Sequence, residues 1–180
     1  MQILLGGERS VARGHLDKLL EQQIPRLRRY ARALFRDVEQ ADDLVQDCLE
    51  RAWSRANRWQ PDTDLRAWLF TIMHNLYVNK VRYHQNHPTV ALTEADDPPD
   101  PTLSGQDRAM QLRDLEAGLA ELPADHREVL LMVCVEDLTY QQVAAILGVP
   151  VGTVMSRLHR ARERLRGWDK GTRTVLRRVK

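Results

Sequence analysis

Residues Leu138–Arg166 read LTYQQVAAILGVPVGTVMSRLHRARERLR, and this run leaves few options for how the chain folds. Thr139 is placed to cap a helix over about Tyr140–Leu147. Val143, Ala144 and Leu147 give that helix an apolar stripe at helical spacing. Gly148 closes it, because the left-handed conformation that ends a helix is easiest for glycine. Pro150 precedes the next helix, where its fixed φ and missing N–H do no harm. Val154 and Leu158 carry the core face of that second helix. Ala144 and Gly148 are small, so the two helices are expected to cross closely. The outward face holds Thr153, Ser156, Arg157, His159, Arg160 and Arg164. Such side chains hydrogen-bond base edges and phosphates in a major groove. The run therefore predicts a DNA-binding helix-turn-helix; the plainer alternative is a structural helical hairpin.

Charge is distributed unevenly along the chain. The formal net charge of +2 says little about partners. From Ser156 to Lys180, however, there are ten Lys or Arg and two acidic residues. That end suits a polyanion. From Asp37 to Glu50 there are six acidic residues and no basic one. That surface cannot approach phosphates and is expected to meet something basic.

Helical periodicity runs through the rest of the chain, and no stretch alternates like a strand. Leu16, Leu19, Leu20 and Ile24 mark a first helix, which Pro25 is expected to kink or restart. Leu27, Tyr30, Ala31, Leu34 and Phe35 continue its stripe. Leu44, Val45, Cys48, Leu49, Ala52 and Trp53 form a second helix, leaving Asp42, Asp43, Gln46, Asp47 and Glu50 outside. After a turn around Pro61 and Asp62, residues Leu65, Trp68, Leu69, Ile72, Met73 and Leu76 define a third. Trp53 and Trp68 fall in apolar stripes and are expected in the core. Residues His84–Gly105 hold four of the eight prolines, four acidic residues and no Lys or Arg. That composition predicts a flexible linker. Leu112, Leu115, Leu119 and Leu122 begin a second helical unit, and Val129, Leu130 and Val133 of the next helix are expected to pack inward. The expectation is an all-α protein with two small helical domains, over 15–84 and 106–168, a linker over 85–105 and a basic tail over 169–180. A length of 180 residues and a hydrophobic content of 43% accommodate that arrangement.

Three segments give the chain a family resemblance. Ala41-Asp42-Asp43-Leu44-Val45-Gln46-Asp47 is one. Leu65-Arg66-Ala67-Trp68-Leu69-Phe70-Thr71-Ile72 followed by Asn75 is another. The third runs from Leu122-Pro123 to Arg166 and includes Val151-Gly152-Thr153-Val154 and Ser156-Arg157-Leu158. In this order they resemble a bacterial sigma factor of the extracytoplasmic-function (ECF) group, which keeps only region 2 and region 4. The resemblance implies that Asp42, Asp43, Gln46, Asp47 and Glu50 dock on the β′ clamp of core RNA polymerase. It implies that Arg58, Trp59, Asp62, Asn75, Asn79, Lys80 and Arg82 meet the minus-10 element, with the loop Arg58–Asp64 near a flipped base. It implies that Thr153, Met155, Ser156, Arg157, His159, Arg160 and Arg164 meet the minus-35 element. Methionine donates no hydrogen bond, so a contact by Met155 would be apolar. Further implied partners are the β flap, promoter DNA and an anti-sigma factor, which in this family is often membrane-anchored.

Other function classes find little support in the sequence. Cys48 and Cys134 lie in apolar stretches and are expected to be small buried residues rather than a disulfide or metal pair. His84 and His87 lack further ligands, so no metal or other cofactor is expected. No phosphate-binding glycine loop or nucleophile elbow is present, so catalysis by this chain is not expected. No run approaches a membrane span, and Ile3-Leu4-Leu5 is too short for a signal peptide, so a cytoplasmic protein is expected. An ordinary two-domain repressor would account for the helix-turn-helix but would leave the acidic helix and the third helix idle. A decoy that titrates an anti-sigma factor would be expected to lose Arg157, Arg160 and Arg164.

Overall fold

The computed structural model describes the backbone of residues 5–35, 37–60, 63–86 and 116–178, and the side chains of 16–35, 37–60, 63–83 and 116–167. The helices are α1 (Leu5–Leu34), α2 (Val38–Ser54), α3 (Leu65–Asn86), α4 (Ala124–Cys134), α5 (Tyr140–Leu147) and α6 (Val151–Arg178). A single 3-10 turn, Ala56–Arg58, follows α2, and residues 116–120 are also helical. The described residues contain no strand, as the periodicity led one to expect. None of their helices is long and apolar enough to cross a membrane. The expected linker over 85–105 lies, but for Gln85 and Asn86 at the end of α3, outside the described residues.

The chain forms two compact units, one from residues 1–32 and 39–91 and the other from 33–38 and 92–180. In the first unit three helices share one core. Leu16, Leu20, Leu27, Tyr30 and Ala31 come from α1, and Ala41, Leu44, Val45, Cys48 and Ala52 from α2. Leu65, Leu69, Phe70, Ile72, Met73 and Tyr77 come from α3. Tyr30 and Phe70 meet edge to face at 4.8 Å with an interplanar angle of 82°. That geometry sets the positive ring edge against a negative ring face.

Of the two outcomes expected of Pro25, a kink or a restart, the restart does not occur: α1 runs through it from Leu5 to Leu34. Pro25 and Glu21 are both exposed, so water can serve the Glu21 carbonyl that lacks its usual N–H partner. Core residues on either side of Pro25 hold the helix together. Trp53 also departs from expectation: it is 53% exposed. The buried stripe of α2 ends at Ala52. Trp53 instead follows Gln46 and Glu50 at seven and three residues, on the outer side. Trp68 is only half-buried.

The second unit packs α4 against α6, with α5 touching both. Its core is Leu122, Val129–Met132, Leu138, Val143, Ala144, Ile146, Val154, Leu158 and Ala161. Leu131 and Met132 take the buried place expected of Val133, and Ile146 that expected of Leu147; Val133 and Leu147 are half-buried. Cys134, the last residue of α4, is exposed and not buried. It lies beyond the buried segment Glu128–Met132.

Local signals set the helix-turn-helix in detail. Thr139 Oγ1 accepts the Gln142 N–H at 3.2 Å, and Gln142 Oε1 accepts the Thr139 N–H at 2.9 Å. This reciprocal capping box satisfies two otherwise orphaned donors. Gly148 ends α5 at φ 64° and ψ 34°. A Cβ there would meet nothing within 4 Å. Its requirement is therefore the left-handed backbone, not the close helix crossing expected from its size. Val149 N–H reaches back to the Ala144 carbonyl at 3.1 Å, and α6 begins directly after Pro150.

Candidate polymerase and promoter interfaces

The acidic face of α2 is divided by its neighbours. Asp42 lies 3.8 Å from Arg28 and 3.9 Å from Arg32, both on α1. Asp47 pairs with Lys80 of α3 at 2.9 Å. Part of the negative charge is thus answered inside the unit. Asp43, Gln46, Glu50 and Trp53 remain exposed, at spacings of three or four residues that place them on one ridge. Gln46 Nε2 donates to Glu50 Oε1 at 3.0 Å, which holds the middle of that ridge. Trp53 was not singled out for this surface in the sequence, because its place in an apolar run read as core.

Behind the ridge lies Cys48, whose thiol donates to the Leu69 carbonyl at 3.6 Å. Burial, reinforced by the neighbouring Asp47 charge, pushes the thiol up to about 12. At neutral pH it stays protonated and unreactive.

On α3, the candidate minus-10 residues separate. Asn75, Asn79 and Arg82 are exposed at four- and three-residue spacing and form one ridge. Asn75 Nδ2 donates to the Thr71 carbonyl at 2.8 Å. Lys80 is half-buried and turned toward Asp47 of α2 instead. Arg58 is exposed in the 3-10 turn, and Asp62 lies outside the described residues.

A cleft of about 420 Å³ opens beside that turn, lined by Leu19, Gln23 and Arg26 of α1 and by Trp59 and Thr63–Arg66. Its size falls within the range of small-molecule pockets, roughly 300–1,000 Å³. Asp64 caps α3 by accepting the N–H groups of Arg66 and Ala67 at 2.9 and 3.2 Å. The Trp59 indole N–H is buried and has no acceptor among the described residues. An unanswered buried donor costs about 1–3 kcal/mol. The α1 wall of this cleft was not legible in sequence, since it is assembled from residues about 40 positions apart.

In the second unit, the candidate minus-35 residues do not share one face. Met155, Ser156, His159, Arg160 and Arg164 are exposed, whereas Thr153 and Arg157 are half-buried. Arg157 Nε lies 3.2 Å from Asp125 Oδ2 at the start of α4. Ser156 Oγ is satisfied by the Thr153 carbonyl at 3.0 Å. Arg162, not singled out in the sequence, donates from Nη2 to Cys134 Sγ at 3.5 Å. Hydrogen bonding to Cys134, and more weakly to Tyr140, makes its guanidinium hold its proton more tightly than usual. No group of three or more metal-ligating side chains occurs among the described residues. His84 and His87 lie outside them as side chains.

Comparison with known proteins assigns both units. Residues 20–74 match the family model described as the Sigma2 domain of PhyR, and residues 112–165 match that of Sigma-70, region 4. The chain is 38% identical over 145 residues to the ECF RNA polymerase sigma factor EcfG of Rhodopseudomonas palustris, covering 79% of this chain and 78% of that protein. It is 35% identical over 150 residues to the ECF RNA polymerase sigma factor SigL of Mycobacterium tuberculosis, covering 82% and 85%. The sigma factor RpoE from Bartonella quintana, solved in complex with the anti-sigma factor NepR, superposes with a TM-score of 0.75 at 32% identity over 87% of this chain and 97% of that one. Two helical units, an acidic ridge on the first and a helix-turn-helix in the second accord with these matches, and the chain belongs to the ECF family of RNA polymerase sigma factors, which direct promoter-specific transcription initiation.

Proposed function

We propose that the first unit docks on the β′ clamp of core RNA polymerase through Asp43, Gln46, Glu50 and Trp53, and opens the minus-10 element. Asp42 and Asp47 belong to the same acidic face but act mainly through their ion pairs to α1 and α3. The second unit binds the minus-35 element through its helix-turn-helix and meets the β flap. The boundaries 15–84 and 106–168 describe these two modules, and the protein works in the cytoplasm, where polymerase is. The observation that carries this reading is the exposed α2 ridge, which combines acidic charge with a large exposed aromatic. Interface anchors are enriched in such aromatic residues. The Bartonella sigma factor was solved with an anti-sigma factor; an anti-sigma factor is likewise proposed to restrain this chain.

Promoter opening needs a place for an unstacked base, and the cleft beside Trp59 offers one. Asn75, Asn79 and Arg82 form a polar ridge on the same unit for the displaced strand, with Arg58 and Asp62 contributed by the loop. Lys80 joins them only when Asp47 releases it. Base–aromatic stacking contributes about 1–3 kcal/mol per base. Trp59→Ala is therefore expected to cut the open-complex population about tenfold, read as permanganate reactivity of the melted thymines. Closed-complex formation by the same holoenzyme should be unchanged. Wild-type permanganate reactivity in W59A would contradict the base-capture role.

A further inference from the structure

The cleft beside Trp59 is unevenly supplied with donors and acceptors. Two of its polar groups are already committed. Asp64 accepts the N–H groups of Arg66 and Ala67 at Oδ1, and its Oδ2 lies 3.9 Å from the Arg66 guanidinium. Thr63 donates its hydroxyl proton to the Gln60 carbonyl at 2.7 Å. What the cleft offers a guest is mostly N–H. The Trp59 indole N–H is buried and has no acceptor among the described residues. Arg26 and Arg66 bring guanidiniums, which donate and never accept. Gln23 brings an amide, which does both.

A guest that answers such a cleft must be rich in acceptors, and the bases differ on this point. Guanine, cytosine and thymine each carry a carbonyl oxygen, which accepts through two lone pairs. Adenine has no carbonyl oxygen and accepts only through ring nitrogens, while its amino group adds a further donor. Adenine would therefore leave donors of the cleft unanswered that a carbonyl would satisfy. A site built on hydrogen bonds rejects a guest lacking the partner group far more strongly than an apolar site does.

Part of this donor set comes from outside the loop. Leu19, Gln23 and Arg26 follow one another at four and three residues, so one stripe of α1 faces the cleft. We propose that Gln23 and Arg26 of α1, together with the Trp59 indole N–H, select the captured base by its carbonyl oxygen and reject adenine. Gln23 and Arg26 are then specificity-determining residues, set on a rigid helix rather than on the loop. This inference rests on the base-capture role proposed above for the same cleft.

The test uses the chain bound to core polymerase and fluorescein-labelled single strands spanning the minus-10 element of a promoter mapped in overexpressing cells. Each position is varied through the four bases, and the captured position is the one whose base preference Trp59→Ala removes. There, hypoxanthine is compared with adenine, since it replaces the amino group by a carbonyl at nearly constant size. The wild-type chain is expected to bind the hypoxanthine strand about tenfold more tightly than the adenine strand, the discrimination of one good base contact. Arg26→Gln and Gln23→Ala should each cut that ratio to about threefold or less. Arg26→Lys keeps the charge but loses the planar fork. It should lower the ratio while leaving the slope of log K against log salt as in wild type. Circular dichroism checks the fold of each variant. Equal or tighter binding of the adenine strand by the wild-type chain would overturn the proposal. So would a wild-type ratio in both R26Q and Q23A, with affinity lost evenly for all bases, which would make Arg26 a phosphate contact. A Trp59→Ala chain with unchanged preference at every position would instead overturn the base-capture reading, and this proposal with it.

Discussion

An Asp43→Lys, Glu50→Lys double variant is expected to lose stable association with core RNA polymerase while keeping its fold. The choice of residues follows from the ion pairs. Asp42 is held near Arg28 and Arg32, and Asp47 by Lys80, so replacing either would disturb packing between helices as well as docking. Asp43 and Glu50 are exposed, and Glu50 gives up only its hydrogen bond from Gln46. Reversing charge at a charge-complementary interface both removes an attraction and adds a repulsion. Truncating one partner of a buried interfacial charge pair typically costs about 2–5 kcal/mol. Two reversals should therefore weaken binding at least about 100-fold. Co-elution with core polymerase on gel filtration measures it, with circular dichroism as the fold control. A double variant that co-elutes like wild type would remove α2 from the docking surface.

Phe70→Ala should bring about the largest loss of stability. Phe70 is 1% exposed and meets Tyr30 edge to face at 4.8 Å. Truncating a buried Phe typically costs about 3–5 kcal/mol through lost transfer energy and the cavity left behind. The aromatic pair contributes a further 0.5–1.5 kcal/mol or so. A small domain has only about 5–15 kcal/mol in total. The melting transition of the first unit should fall by at least about 15 °C. Cys48, which packs with the Leu69 carbonyl next to this residue, should become open to alkylation. The helix-turn-helix unit has its own core and should melt as in wild type. An unchanged first transition would mean that Phe70 does not anchor the three-helix core.

What was legible in the sequence was what short-range chemistry decides. Thr139, Gly148 and Pro150 act within a few residues of themselves, so α5, the turn and the start of α6 could be bounded in advance. The all-helical class followed from periodicity over long windows. What failed depended on partners distant in sequence. Trp53 sits one residue past Ala52 in an apolar run, and only the packing of α1 and α3 decides that α2 stops burying side chains there. Cys134 looks like core until the buried segment of its helix is seen to end at Met132, leaving its thiol exposed beside Arg162. The restart allowed for at Pro25 does not happen, because a core lies on both sides of it. Among the site residues, the acidic face was visible as composition. Its division into paired and unpaired halves was not, because Arg28, Arg32 and Lys80 come from other helices. The arginines of α6 were counted as one face from their spacing to one another; their angle to Met155 and His159 was the missing quantity.

The most direct test of promoter-specific initiation is run-off transcription with purified core polymerase, the chain, and a template carrying a promoter mapped in overexpressing cells. Transcripts of one defined length should appear only when core and chain are both present, and should vanish with the Asp43→Lys, Glu50→Lys variant. The same transcripts from core alone, unchanged by adding the chain, would contradict it.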